Sequence, residues 1–342
     1  MKEQLAKVVN GTHLTAAEAA DAMSSIMDGA ATPAQIAGLL AALRTKGETV
    51  DEITGFARVM RTRAIPVRTR RHPLVDTCGT GGDSIKSFNI STAAAIVAAA
   101  AGAAIAKHGN RAVTSKAGSA DVLEALGVRI DLDADTVGRC VDSVGIGFLF
   151  ARTHHPAMKY AAPVRAELGI RTVFNVLGPL TNPAGATRQV IGVYDPAWCE
   201  PLAKVLAQLG TEHALVVHGL AGIDEIATFG QTVVASAQNG DVRVGRIDPA
   251  VLGLKEANPA TIAPGADPTE NAAILRAVLD GEHGPRRDIV LANAAAALFV
   301  AGIAPSLRDG VQMAAAAVDT GAATQKLADL IQFTQSQTPE AP

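Results

Sequence analysis

The 342-residue chain sets 30 Lys and Arg against 33 Asp and Glu, and its formal net charge of −3 exerts no global pull on nucleic acid or an anionic membrane surface. Hydrophobic residues make up 48% and charged residues 18%, which excludes a disordered chain and leaves length for one large or two ordinary domains, each with its own core. Cys78, Cys140 and Cys199 are odd in number and far apart, as reduced thiols of a cytoplasmic protein are, and the opening MKEQLAKVVNGTH lacks the apolar core and cleavage site of a signal peptide.

Residues 1–70 read as a small helical domain. Thr15 with Glu18, Thr32 with Gln35 behind Pro33, and Thr49 with Glu52 each match the capping box, so at least three short helices are expected. The segment RTRAIPVRTRRHP, residues 61–73, carries five arginines and two prolines and reads as a solvated connection. A nucleic-acid patch is the alternative; no aromatics interleave it, and the overall charge opposes it.

From residue 71 to 342 the pattern becomes that of a large α/β domain with a central, mostly parallel sheet flanked by helices. PLVD, AAIAKHG, IGFLFA, RQVIGVY and HALVVHG read as buried strands, and RRDIVLANA as a helix. The uncharged run Ser87–Ala106 is 20 residues long, but it opens on Asn89, Ser91 and Thr92 and is otherwise mostly alanine, so a buried helix is expected rather than a membrane span. PVRAELGIRTVFNVLGPLTNPAG interrupts the alternation, and the stretch near 163–185 is expected to return to the first domain. SAQNGDVRVGRIDPAVLGL reads as an irregular insertion, and SQTPEAP as a loose tail.

DTCGTGGD, residues 76–83, follows the first of these strands and precedes SFNIST, which opens the alanine helix. Glycines let consecutive amides converge on phosphate oxygens, and the helix start adds exposed amides, the hydroxyls of Ser91 and Thr92, and a favourable dipole. The loop is neither a Walker A motif nor a dinucleotide fingerprint, and by itself it could be a tight structural turn. Lys107-His108-Gly109-Asn110-Arg111 brings positive charge to a strand end, and Ser115–Val128 supplies a second glycine-serine turn, in which Asp121 and Glu124 read as parts of an ordinary helix start. Asp224-Glu225 beyond a strand suits Mg²⁺, although a solvated acidic turn would look the same in isolation. His154-His155 lacks a third ligand at metal spacing and is assigned to a substrate pocket or to packing; Cys78 lacks a base partner and reads as a small buried residue.

Taken together, GTGGD, SFNIST, KHGNRAVTSKAGSADVLEALG, HHPAMKYAAPVRAELGIRTVFNVLGPLTNPAG and GIDEI, in this order, resemble the anthranilate phosphoribosyltransferases over nearly the whole chain. The resemblance implies a helical domain hinged to an α/β domain and a homodimer formed through the helical domains. It also implies Mg²⁺-dependent transfer of phosphoribose from 5-phospho-α-D-ribose 1-diphosphate to the amine of anthranilate, a step of tryptophan biosynthesis. Carried onto this sequence, it assigns the sugar diphosphate to Gly79, Gly82, Asp83, Ser87, Asn89, Ile90, Ser91 and Thr92. Lys107, His108, Gly109, Asn110, Arg111, Ala112, Val113, Thr114, Ser115 and Ser119 join them. It assigns the metal to Ser91, Asp224 and Glu225, and anthranilate to Gly79, Asn110, His155 and Arg165, with His108 lining the approach. No acid or base is assigned; Lys107, His108, Asn110 and Arg165 position the reactants. Ser84 and Arg152 depart from the family pattern, where glycine and proline are common. A pyrimidine nucleoside phosphorylase of the same fold is the nearest rival, opposed by Asp224-Glu225; a non-catalytic nucleic-acid-binding relative is opposed by the net charge.

Overall fold

A computed structural model describes residues 1–82, 84–112 and 117–337 of the chain. The N-terminal part is four helices: α1 Lys2–Val9, α2 Ala16–Met27, α3 Pro33–Lys46 and α4 Val50–Arg63. All three expected capping boxes form. α4 packs against α2 at Gly55, where a Cβ would stand 2.2 Å from the carbonyl oxygen of Ala16. Fully buried Glu52 accepts the Leu14 amide at 2.9 Å and the Lys46 ammonium at 3.0 Å, so the carboxylate that caps α4 also holds the turn before α2.

Residues 64–73 run mostly exposed but docked, with Val67 buried. The amides of Ile65 and Val67 donate to the carbonyls of His154 and Pro183, and Arg70 pairs with Asp142. The expected solvated connection is thus held against the larger domain along its length.

Beyond it lies a seven-stranded sheet in the order β3-β2-β1-β4-β5-β6-β7. Its strands are β1 Leu74–Asp76, β2 Ala104–Gly109, β3 Ile146–Phe150, β4 Arg188–Gly192, β5 His213–Gly219, β6 Thr232–Gln238 and β7 Asp241–Ile247. The first five pair in parallel, and β6 and β7 add antiparallel to one edge. The helices between and after them are α5 Ile90–Ala100, α6 Ser119–Leu126, α7 Ala134–Val144, α8 Ala151–His154, α9 Ala162–Leu168, α10 Phe174–Leu177, α11 Cys199–Gln208, α12 Pro268–Leu279, α13 Pro285–Val300, α14 Leu307–Asp319 and α15 Ala322–Gln335.

Alternate strand residues serve two cores. Val190, Leu215 and Val217 face α5 and the C-terminal helices, while Ile191, Ala214 and Val216 face α11 and the helical domain. Val164, Phe174 and Leu177 of the segment between β3 and β4 join the second core beside Leu39, Leu43 and Phe56. Alanine dominates α5 because that helix is wrapped by α13, α14 and α15, and small side chains permit close approach.

Two readings need correction. The stretch after residue 234 is not irregular: Asn239 (φ 50°) and Gly240 (φ 91°) make a two-residue turn between β6 and β7, the left-handed pair that matches strand twist in a hairpin. The run Ser87–Ala106 is not one helix; α5 ends at Ala100, the chain reverses at Gly102 (φ 104°), and β2 begins at Ala104. Among the described residues, no helix is long and apolar enough to cross a membrane.

Candidate active site

The strand order reverses at β1, with β2 on one side and β4 on the other, and in open α/β sheets ligands bind beyond the strand ends at such a point. The glycine loop leaves β1 there. A Cβ on Gly79 would lie 3.0 Å from Gly192 O and 3.4 Å from Asp224 Oδ2, tight enough that the Gly192 main chain would have to give way. Gly81 (φ 62°) and Gly82 (φ 81°) occupy the left-handed region instead. The Thr80 amide donates to Gly192 O at 2.8 Å, and the Ser84 and Ile85 amides to Gly222 O at 3.1 Å. Ser84 Oγ also reaches Gly222 O at 3.0 Å, a tie that glycine at this position could not make.

Directly behind the loop, Asn89 caps α5 from a position where its side chain instead donates to Ala117 O at 3.1 Å. Ile90 is buried, Ser87 half-buried, and Thr92 Oγ1 is buried with no partner among the described residues. Lys107, 3% exposed on β2, donates to Thr77 O and Oγ1 at 3.1 Å and reaches Ser91 Oγ at 3.5 Å. Buried Asp76 feels the Lys107 charge and accepts the His108 amide at 3.0 Å and Asn182 Nδ2 at 2.8 Å; burial raises the Asp76 pKa to about 6, while Asn182 and Lys107 oppose that rise.

Asp224 and Glu225 stand in the turn after β5 and line a small cavity with Thr77, Gly79, Ser91, Gly192 and Asn293. Glu225 Oε1 accepts the Ser91 amide at 3.1 Å. Asp224 keeps part of its surface accessible yet is packed round by protein, which raises its pKa, while the Gly81 amide opposes that rise. Two carboxylates and a hydroxyl on one cavity form the hard-oxygen donor set that Mg²⁺ takes. Asp76, Cys78 and His108 also gather within 4.8 Å, but both Asp76 oxygens are engaged, the Cys78 thiol is pushed up by burial, and Lys107 brings a competing positive charge. That cluster is packing, although Cys78 is half-buried rather than the buried residue expected.

Toward the helical domain, His108 Nδ1 lies 3.2 Å from Gly178 O, and its ring is tilted against that of His155 with centroids 5.1 Å apart. Burial lowers the pKa of His108 to about 3 and of His155 to about 4, so both rings are neutral near pH 7, and the Nε2 atoms of both lack partners among the described residues. Arg165 on α9 is half-buried, its guanidinium carbon 5.1 Å from the centre of the Phe174 ring.

The acids of the second loop sit in α6 as the expected helix start, Asp121 in its first turn. Asp121 accepts the amides of Ala112 and Gly118 at 2.9 and 2.8 Å, and with Glu124 it holds the Arg111 guanidinium. Arg111 therefore turns its side chain onto α6. Gly109 is obligatory, because a Cβ would lie 2.3 Å from Ser119 Oγ, and that hydroxyl donates to Asn110 O at 3.3 Å. Asp83, Val113, Thr114 and Ser115 lie outside the described residues. Arg152 is exposed on α8.

Residues 71–324 match the family model described as "Glycosyl transferase family, a/b domain", and residues 2–64 the one described as "Glycosyl transferase family, helical bundle domain". The anthranilate phosphoribosyltransferase of Pelotomaculum thermopropionicum is 55% identical over 98% of this chain and 96% of its own. That of Moorella thermoacetica is 56% identical over 98% and 99%. The chain belongs to the anthranilate phosphoribosyltransferase family. Among solved members of this family, the Thermus thermophilus protein superposes with a TM-score of 0.92 at 45% identity, covering 97% of this chain and 99% of that one. The Saccharomyces cerevisiae protein in complex with PRPP and Mg superposes at 0.88 with 28% identity, covering 98% of both.

Several residues at this family site had no sequence signal of their own. Asn293 on α13 accepts the Ile226 amide at 2.9 Å and donates to Ile226 O at 3.0 Å and Ile289 O at 2.8 Å, fixing the chain next to Glu225. Asn182 reaches Asp76 from the segment before β4. Lys86, between loop and helix, places positive charge toward Asp224, and its position within DSIKSFN was the one available hint.

Proposed function

We propose that the chain transfers phosphoribose from 5-phospho-α-D-ribose 1-diphosphate to the amine of anthranilate, giving N-(5-phosphoribosyl)anthranilate and pyrophosphate in tryptophan biosynthesis. The observation that carries this reading is the meeting of the glycine loop, the start of α5 and the Asp224-Glu225 pair at one strand-order reversal. Amides of the 79–82 loop and the α5 terminus, with the Thr92 hydroxyl and Lys107, receive the diphosphate and phosphate oxygens. Ser91, Asp224 and Glu225 would hold Mg²⁺, which when bound neutralises charge on the departing pyrophosphate.

On the other side, Arg165 pairs with the anthranilate carboxylate through its planar fork. Neutral His108 and His155, with Asn110, line the approach and leave the amine unprotonated. An aromatic amine is already a competent nucleophile, so the rate comes from placing it against C1 of the ribose and stabilising the leaving group as an oxocarbenium-like centre develops. The division into residues 1–70 and 71–342, with the stretch 163–185 counted with the helices, is supported by Val164, Phe174 and Leu177 packing beside Leu39 and Phe56. A homodimer through the helical domain rests on the resemblance, and a cytoplasmic location on the odd, widely spaced cysteines.

The test is loss of anthranilate fluorescence. It requires both the sugar diphosphate and Mg²⁺; phosphorolysis of uridine or thymidine in its place would select a nucleoside phosphorylase. Light scattering of the pure protein checks the dimer.

A further inference from the structure

Arg171 stands six positions after Arg165, just past Gly169, whose left-handed conformation (φ 62°) ends α9 and turns the chain back toward the sheet. Its guanidinium donates to the carbonyl oxygen of Gly82 and lies 4.1 Å from the centre of the Tyr194 ring. Tyr194 belongs to the same frame as the loop, because its amide donates to Thr80 Oγ1 at 3.1 Å while the Thr80 amide donates to Gly192 O at 2.8 Å. A Cβ on Gly82 would stand 3.3 Å from Arg171 Nη2, so the contact uses the bare backbone at that position. Trp198, the single tryptophan of the chain, donates from Nε1 to Tyr194 Oη at 2.9 Å.

These contacts join two elements that carry different halves of the reaction. The segment with Arg165 and Arg171 packs on the helical domain through Val164 and Phe174, whereas Gly82 closes the loop that meets the diphosphate. We infer that Arg171 is a positioning residue that latches the anthranilate-bearing segment onto the glycine loop, so that ordering of one substrate site favours the other. This rests on the function proposed above. A planar guanidinium can stack on Tyr194 and donate to Gly82 O at once; a lysine ammonium can do only one of these well. Arg171 is itself exposed, so removing it costs little core packing.

The experiment reads binding by calorimetry and loop state by Trp198 emission, using 5-phospho-α-D-ribose 1-diphosphate with Mg²⁺, with and without 2-methylbenzoate, which keeps the carboxylate and lacks the amine. In wild type the two ligands bind with a mutual enhancement of roughly fivefold or more, and the sugar diphosphate shifts Trp198 emission. Arg171→Ala lowers affinity for the sugar diphosphate about tenfold and brings the enhancement close to onefold. It also abolishes the emission shift at saturating ligand and leaves the thermal midpoint unchanged. Arg171→Lys recovers part of the affinity, and Tyr194→Phe, which keeps the ring, retains the enhancement. Wild-type enhancement and emission shift in Arg171→Ala would overturn the inference, as would a lowered midpoint with enhancement intact. Absence of turnover in wild type would strike the proposed function alone, since binding and emission still decide the role of Arg171.

Discussion

At the scale of single residues, the site is built as much by missing side chains as by present ones. Gly192 ends β4 against the turn that carries the acidic pair, and a Cβ there would stand 1.6 Å from Asp224 O, a distance no side chain can occupy. Gly192→Ala must therefore push Asp224 and Glu225 away from Ser91 and the loop. A Mg²⁺ titration of the rate should show the half-saturating concentration rising at least tenfold, with about 1–3 kcal/mol of stability lost to overpacking. If the titration curve overlays wild type, the acidic pair does not hold the metal. Arg165 makes the opposite kind of contribution. Its guanidinium rests over Phe174 and forms no ion pair among the described residues, which leaves it available to a carboxylate. Arg165→Ala should raise the anthranilate KM roughly tenfold or more while the KM for the sugar diphosphate moves little, by loss of a charge-assisted pair. Equal rises in both would place Arg165 elsewhere in the mechanism.

At the scale of elements, α13 braces the site from below. Asn293 is 3% exposed and satisfies both main-chain groups of Ile226, the residue directly after Glu225. Asn293→Ala would strand those groups in a buried setting, and urea denaturation should register a loss of about 3 kcal/mol. The same variant should weaken Mg²⁺ support of the rate, because the turn after β5 would lose its anchor. Denaturation curves matching wild type would mean that water replaces the amide. The hairpin of β6 and β7 shows how much an element can owe to two residues. VVASAQ and VRVGRI alternate in the strand period, and Asn239-Gly240 between them is the strongest short-range hairpin signal. The reading as an irregular insertion gave too much weight to polar composition and too little to that pair. The alanine run misled in the other direction: only its last residues, 104–106, open β2, which AAIAKHG marks as a strand, and Gly102 marks the reversal between helix and strand.

Across the whole molecule, buried histidines set the response to acid. Burial lowers the pKa of His108 to about 3 and those of His154 and His155 to about 4, below the ordinary value of 6.5. Each contributes stability that is fully present above pH 6.5 and is lost as pH falls toward its folded value, by up to about 1.4 kcal/mol per pH unit per group. Asp76, raised from 3.8 to about 6, works against this, since its burial cost is relieved over nearly the same range. Burial also raises Glu48, Asp224 and Asp288, which work with Asp76, and lowers His213, which joins the other histidines. Because each histidine begins to charge from 6.5 downward, the histidine loss dominates and the thermal midpoint should fall from pH 7 to pH 5. His154 has both ring nitrogens unpartnered among the described residues and is fully buried, so His154→Leu should flatten that profile with little effect at pH 7.5. A profile as steep as wild type would assign the acid sensitivity to other groups.

Local chemistry was legible along the chain. The capping boxes at Thr15, Thr32 and Thr49, the glycines that free the loop amides and the carboxylate pair at 224–225 depend on neighbours a few residues away, and short-range rules of propensity and hydrogen bonding govern them. What these groups face comes from the packing of distant segments. Asn293 meets Ile226 across 67 residues, Arg171 meets Gly82 across 89, and Asn182 meets Asp76 across 106, and no periodicity encodes such meetings. They follow from the order in which parallel strands enter the sheet, because each crossover sets segments distant in the chain side by side at the same strand ends.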